Sequence, residues 1–109
     1  MNSLNDVAMD FCRAVATQPE IDNAAARLGT WMIGVAEKMG GFPVELSFRD
    51  IGKGFERNGI RIPGTGSRYE TIHRAIDRLK EAGWLKEGEG RHIGFGHTST
   101  MFTMDAPHH

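Results

Sequence analysis

The stretch SRYETIHRAIDRLKEAGWLK, residues 67–86, decides how this chain is read. Ser67-Arg68-Tyr69-Glu70 matches the capping box S-x-x-E, in which the serine hydroxyl and the glutamate carboxylate each accept from a free backbone N–H at a helix start. Ile72, Ile76 and Leu79 recur at i, i+4 and i+7 and form one apolar stripe, widened by Ala75. At about 100° per residue, Glu70, Arg74, Asp77, Arg78 and Glu81 fall on the opposite face. Gly83 suits the position just past a helix end, because it takes positive φ without a Cβ clash. Trp84-Leu85 then opens an extended segment. The spacing predicts a helix over 67–82 running straight into a strand.

The run TIHRAIDRLKEAGWL, residues 71–85, resembles the recognition helix of bacterial winged helix-turn-helix proteins, in particular the group found in transcription regulators and in plasmid or phage replication proteins. There a T-V-x-R-A-L-x-x-L-x-x-x-G-[WL]-[LI] pattern closes the helix and opens the wing. Thr71, Ile72, Arg74, Ala75, Ile76, Leu79, Gly83, Trp84 and Leu85 fill those positions. Upstream, LSFRDI (46–51) is similar to the short strand and first helix of the motif, and Thr98–Met104 to the returning wing strand. The resemblance covers roughly residues 28–104. It departs from the pattern between the two motif helices, where about ten residues, Arg57–Gly66, replace a turn of three or four. The likeness speaks to fold more than to biological role, since one fold hosts many functions.

The 109 residues fit one domain, and 39% apolar with 25% charged residues is the composition of an ordinary globular chain able to bury a core without staples. The single Cys12 has no partner for an intramolecular disulfide, so a reducing cytoplasm is expected. No apolar run approaches the ~20 residues that span a bilayer, and MNSLNDVAMD lacks the basic and apolar regions of a signal peptide. The net charge of −1 hides an asymmetry. Residues 1–46 carry a balance of −3 and residues 47–92 one of +3, so the basic half is the half with the motif.

Leu4, Val7, Ala8, Phe11 and Val15 predict a first amphipathic helix over 4–16, capped by Asn2 or Ser3 and broken at Gln18-Pro19-Glu20. A second helix is expected from near Ile21 to Met39. Its inner face is Ile21, Ala25, Leu28, Met32, Val35 and Met39, and Trp31 and Ile33 make it apolar nearly all round. Gly40-Gly41 ends it. Pro43–Leu46 reads as extended. Ser47 can cap a third helix, Phe48–Glu56, weakened by Gly52 and Gly54 at about 1 kcal/mol each relative to Ala. Trp84–Met104 reads as a β-hairpin with its tip at Gly94–Thr98. The histidine pair of the Pro107-His108-His109 tail fits an expression-tag remnant.

Arg74 faces outward in the first half of the expected reading helix. An arginine there can bond guanine O6 and N7 together or reach a phosphate; as a plain surface residue it would pair with Glu70 or Asp77. Tyr69, His73 and Arg78 are further candidates on this helix, while Glu70 is expected to serve the capping box. Asp77 and Glu81 repel phosphates, which sets the helix C-terminal half away from a DNA backbone. Ser67, Arg68 and Thr71 lie where free N–H groups and the helix dipole favour a phosphate. Arg57 and Arg61 either add phosphate contacts, enter a minor groove, or only keep the loop solvated. Gly64-Thr65-Gly66 lacks the G-x-x-x-x-G-K-[ST] pattern of a nucleotide cradle. Arg91, His92 and His97 belong to the expected wing, whose tip the resemblance lays along a minor groove or phosphate backbone.

The five histidines and Cys12 show no metal-ligand spacing, so neither metal nor cofactor is expected. Cys12, beside Phe11, reads as a buried structural thiol. No Ser/His/Asp set or carboxylate pair stands out, and enzymatic activity is not expected.

These readings converge on an α+β winged helix-turn-helix of about four helices and a C-terminal hairpin wing. A helical pair over 1–40 is the expected dimer surface, with the helix-turn-helix over 47–82, the wing over 84–104 and a tail over 105–109. The expected partners are double-stranded DNA and a second copy of the chain, with no membrane. The resemblance implies a sequence-specific transcriptional regulator. It also allows an accessory factor of plasmid or phage replication, partition or excision, and a protein-interaction module of the same fold remains a third reading.

Overall fold

The first three helices are each started by a side chain the sequence places just ahead of them. In the computed structural model, which describes residues 3–57, 70–88 and 99–107, the Ser3 hydroxyl accepts from the Asp6 N–H at 3.2 Å and opens α1, Leu4–Thr17. The Asp22 carboxylate accepts from the Ala25 N–H at 2.9 Å and opens α2, Asn23–Met39. Ser47 and Asp50 cap α3, Phe48–Arg57, reciprocally: the Ser47 N–H donates to Asp50 Oδ2 at 3.0 Å and the Asp50 N–H to Ser47 Oγ at 3.1 Å. The fourth helix, α4, spans Glu70–Glu81; the expected Ser67 cap lies outside the described residues. Arg57, expected in the loop, is the last residue of α3.

Two helices end in left-handed glycines. Gly40, at φ 87°, closes α2, and the Gly41 N–H reaches back to the Ala36 carbonyl at 2.7 Å. At the end of α4, Gly83 takes φ 82°, the Gly83 N–H donates to the Lys80 carbonyl at 3.0 Å, and the Trp84 N–H to the Leu79 carbonyl at 2.9 Å. This pair of bonds is the Schellman turn, and the accompanying apolar contact comes from the buried side chains of Leu79 and Trp84. It reverses the chain directly into β2, Leu85–Gly88.

Three short strands make one antiparallel sheet in the order β1-β3-β2. Strand β3, Thr100–Met104, is the middle strand. It pairs with β2 through Leu85↔Met104 and Glu87↔Phe102, and with β1, Val44–Leu46, through Val44↔Phe102 and Leu46↔Thr100. The expected hairpin strands are therefore present; their tip, Gly94–Thr98, lies outside the described residues. Val44, Leu46, Leu85, Phe102 and Met104 are buried, and the sheet is backed by α2 and α4. The chain is thus a small α+β fold of four helices and a three-stranded antiparallel sheet among the described residues.

The core is organised by rings seated on glycines. Phe11 of α1 meets Trp84 edge-on, with ring centroids 5.2 Å apart and planes at 75°. Its rim lies on α2 at Gly29, where a Cβ would stand 2.2 Å from Phe11 Cζ. Trp31 of α2 is seated likewise over Gly54 of α3, where a Cβ would fall 2.3 Å from the indole. The buried Trp84 Nε1 has no hydrogen-bond partner among the described residues. Ile72, Ala75, Ile76 and Leu79, the expected stripe of α4, are all buried.

Several expected faces shift. Ala14 rather than Val15 is buried in α1, and Val15 is 37% exposed. In α2 the buried set is Ala25, Leu28, Gly29, Met32, Ile33 and Ala36, whereas Met39 is 72% exposed. Both helices turn their i+3 positions inward, because each packs on a partner lying to one side of the sequence stripe. Cys12, expected to be buried, is exposed, since one residue of helix rotation carries it away from Phe11. Ile33, expected to help make the helix apolar all round, is buried within the chain beside Met32 and leaves no apolar surplus there for a dimer face.

A last tie joins α4 to the start of α2. Arg78 Nε lies 3.0 Å from Asp22 Oδ2, while Asp22 Oδ1 holds the helix cap. Among the described residues no helix is long and apolar enough to cross a membrane.

Two stability measurements follow from this packing. Gly29→Ala is expected to destabilise the fold by about 1–3 kcal/mol through overpacking against Phe11, read from urea unfolding. Asp22→Ala is expected to cost about 1–2 kcal/mol, because it removes a cap and an ion pair together. Arg78→Ala loses only a part-exposed pair, about 1 kcal/mol or less. Equal midpoint shifts for the two variants would refute the double role of Asp22.

Candidate nucleic-acid interface

Helix α4 buries one stripe and presents the other to solvent. Glu70, His73, Arg74, Asp77, Arg78 and Glu81 are exposed, and Thr71 is half-buried at the first turn. The ordering of this face comes from neighbours on three elements. From α3, Phe48 stacks on His73 with centroids 4.2 Å apart and planes at 38°. This contact ties the N-terminal half of α4 to α3.

Each cation of α4 is matched to a carboxylate. Arg74 lies 3.0 Å from Glu70 Oε1 in an i,i+4 pair, with the two side chains 65% and 61% exposed. Arg78 is held by Asp22 at the start of α2, with Nε 3.0 Å from Oδ2. Lys80 Nζ lies 3.5 Å from Glu87 Oε2 on β2. Glu70, expected to close the capping box, is thus engaged by Arg74.

The structure brings Thr71, His73 and Arg74 together on the first turns of α4. It sets Arg78 apart, as a link to α2. Arg61, Ser67, Arg68, Tyr69, Arg91, His92 and His97 lie outside the described residues, as does the side chain of Arg57. On the elements that flank α4, Arg49 and Lys53 of α3 and Lys86 of β2, not singled out from the sequence, stand exposed without an ion pair among the described residues. Their signal was present, since Arg49 and Lys53 flank the buried Ile51 at helical spacing and Lys86 alternates with buried Leu85.

Chemically, this surface offers guanidinium and imidazole donors on the first half of α4, and an ammonium, Lys86, on the strand that follows its other end. Such a set can bond phosphate or base edges. Among the described residues, no three His, Cys, Asp or Glu side chains are grouped to hold a metal ion. No protein-family model matches the chain, and no curated protein or solved structure matches it either.

Proposed function

We propose that the chain is a winged-helix protein that binds double-stranded DNA, with α4 in the major groove and the β2–β3 hairpin alongside. The observation that carries this reading is the order of elements. Helix α3 leads to α4, α4 turns through Gly83 directly into an antiparallel hairpin, and β1 completes the sheet beyond it, while the outward face of α4 is left exposed. In this reading the protein is a transcriptional regulator, and phosphate contacts supply most of the affinity while a few base contacts supply specificity. A cytoplasmic setting goes with it, since the one cysteine has no disulfide partner in the chain.

The Glu70–Arg74 pair does not oppose this. An exposed i,i+4 pair is worth about 0.3–0.5 kcal/mol, whereas a bidentate arginine–guanine contact discriminates by about 1–3 kcal/mol. DNA therefore outcompetes the carboxylate for the guanidinium.

One observation favours a second reading, a winged-helix module that binds protein. All three cations of α4 are paired with carboxylates, and the chain carries a net charge of −1. Retention of random duplex in a mobility-shift assay separates the two readings.

On a site selected from a random duplex library, Arg74→Ala is expected to weaken binding by about 1–3 kcal/mol with unchanged thermal stability. Unaltered affinity removes Arg74 from the interface. Arg57, Arg61, Arg68 and Arg91 are expected to act on all sequences alike, each alanine flattening the log K against log salt slope by about 1. A quadruple variant with the wild-type slope excludes them as an electrostatic clamp.

A further inference from the structure

The outer face of α2 carries a pattern that the fold does not use. Arg27, Thr30, Gly34 and Glu37 follow one another at intervals of three, four and three, the spacing of the a and d positions of a helix seam. Arg27, Thr30 and Glu37 are exposed and Gly34 is half-buried. Arg27 and Glu37 have no ion-pair partner among the described residues. Gly34 is the anomaly. Glycine inside a helix is unfavourable, and Gly29 and Gly54 offset that by seating Phe11 and Trp31. A Cβ at Gly34 would meet nothing within 4 Å among the described residues, so the packing described there does not call for its bareness.

We propose that this face is the contact between two copies of the chain, with their α2 helices packed antiparallel about a two-fold axis level with Met32. An antiparallel seam sets each a position against a d position of the other helix. Arg27 then meets Glu37 of the partner subunit, Thr30 meets Gly34 of the partner subunit, and the symmetry repeats both layers. The charge pattern is self-complementary only in this sense. A parallel pair would set Arg27 against Arg27 of the partner subunit. Small side chains at the middle layers let the helix axes approach to about 8 Å, the close end of helix packing. On one flank, Trp31, Val35 and Leu46 line a groove between α2 and α3 that the partner's helix covers. No residue of α4 or of the hairpin takes part, so the contact is independent of DNA binding.

The test is sedimentation of the full chain over a concentration series. The wild type is expected to dimerise with rising concentration. Arg27→Glu and Glu37→Arg each place like charges in both end layers and are expected to weaken the dimer by about tenfold or more. The double variant Arg27→Glu/Glu37→Arg is expected to dimerise again, and an equimolar mixture of the two single variants to form the mixed dimer. Gly34→Leu is expected to stay folded, by circular dichroism and thermal melting, and to lose the dimer. A wild type that is monomeric up to its solubility, single variants that dimerise like the wild type, or a folded double variant that fails to recover would each overturn the proposal.

Discussion

The Phe11 ring needs a position on α2 with no side chain, and Gly29 provides it. From that seat the ring also meets Trp84, the first residue after the α4 turn. One contact thereby sets the approach of α1 to α2 and the place where the chain leaves α4 for the sheet. The remaining elements adapt to it. The interior face of α2 is turned toward its i+3 neighbours, α4 lies across α2 with its stripe buried, and β2 begins where Trp84 is anchored. Trp84 is held here by area and ring geometry, since its buried indole N–H finds no acceptor among the described residues.

The Gly83 turn converts this packing into a usable surface. Because the Schellman bonds fix the angle between α4 and β2, the outward face of the helix and the strand that follows it stay in one orientation. The same rigidity comes from the side through Phe48 and His73 and from the rear through Asp22 and Arg78. A helix held at three points presents its exposed residues with little freedom to reorganise, which lowers the entropic cost of any recognition it performs.

What could be read from the sequence was local. The α4 stripe, the Ser3 cap, the glycine stops and the hairpin strands are set by neighbours within a few residues, so spacing alone predicts them. What could not be read depends on which distant element lies on which side. Ala14 and Val15 are both i+3 or i+4 from Phe11, and only the placement of α2 chooses between them. Cys12 and Met39 face solvent for the same reason. The Ser47–Asp50 box is S-x-x-D in sequence, where the serine alone announces a cap; the return bond from the Ser47 N–H to the aspartate shows only in the fold. Of the candidate site, the exposed Arg74 and His73 follow from helical phase. The engagement of Arg78 by Asp22 does not, because those two residues lie far apart in sequence.

The sheet has an uneven timetable. Its central strand, β3, is the last strand in chain order, and both neighbours depend on it. Leu85 waits for Met104 over a short separation in sequence, whereas Val44 waits for Phe102 across more than half the chain. During synthesis, β1 and β2 therefore emerge with unpaired edges, and only the helices can bury their apolar residues until β3 arrives. Pairing over so long a span carries a loop-closure cost that local helix contacts do not, so the helical part is poised to assemble first and to template the sheet. A lesion in β3 would consequently strip both edge strands of their partner at once, leaving α1–α4 packed but the sheet open to adhesion with other chains.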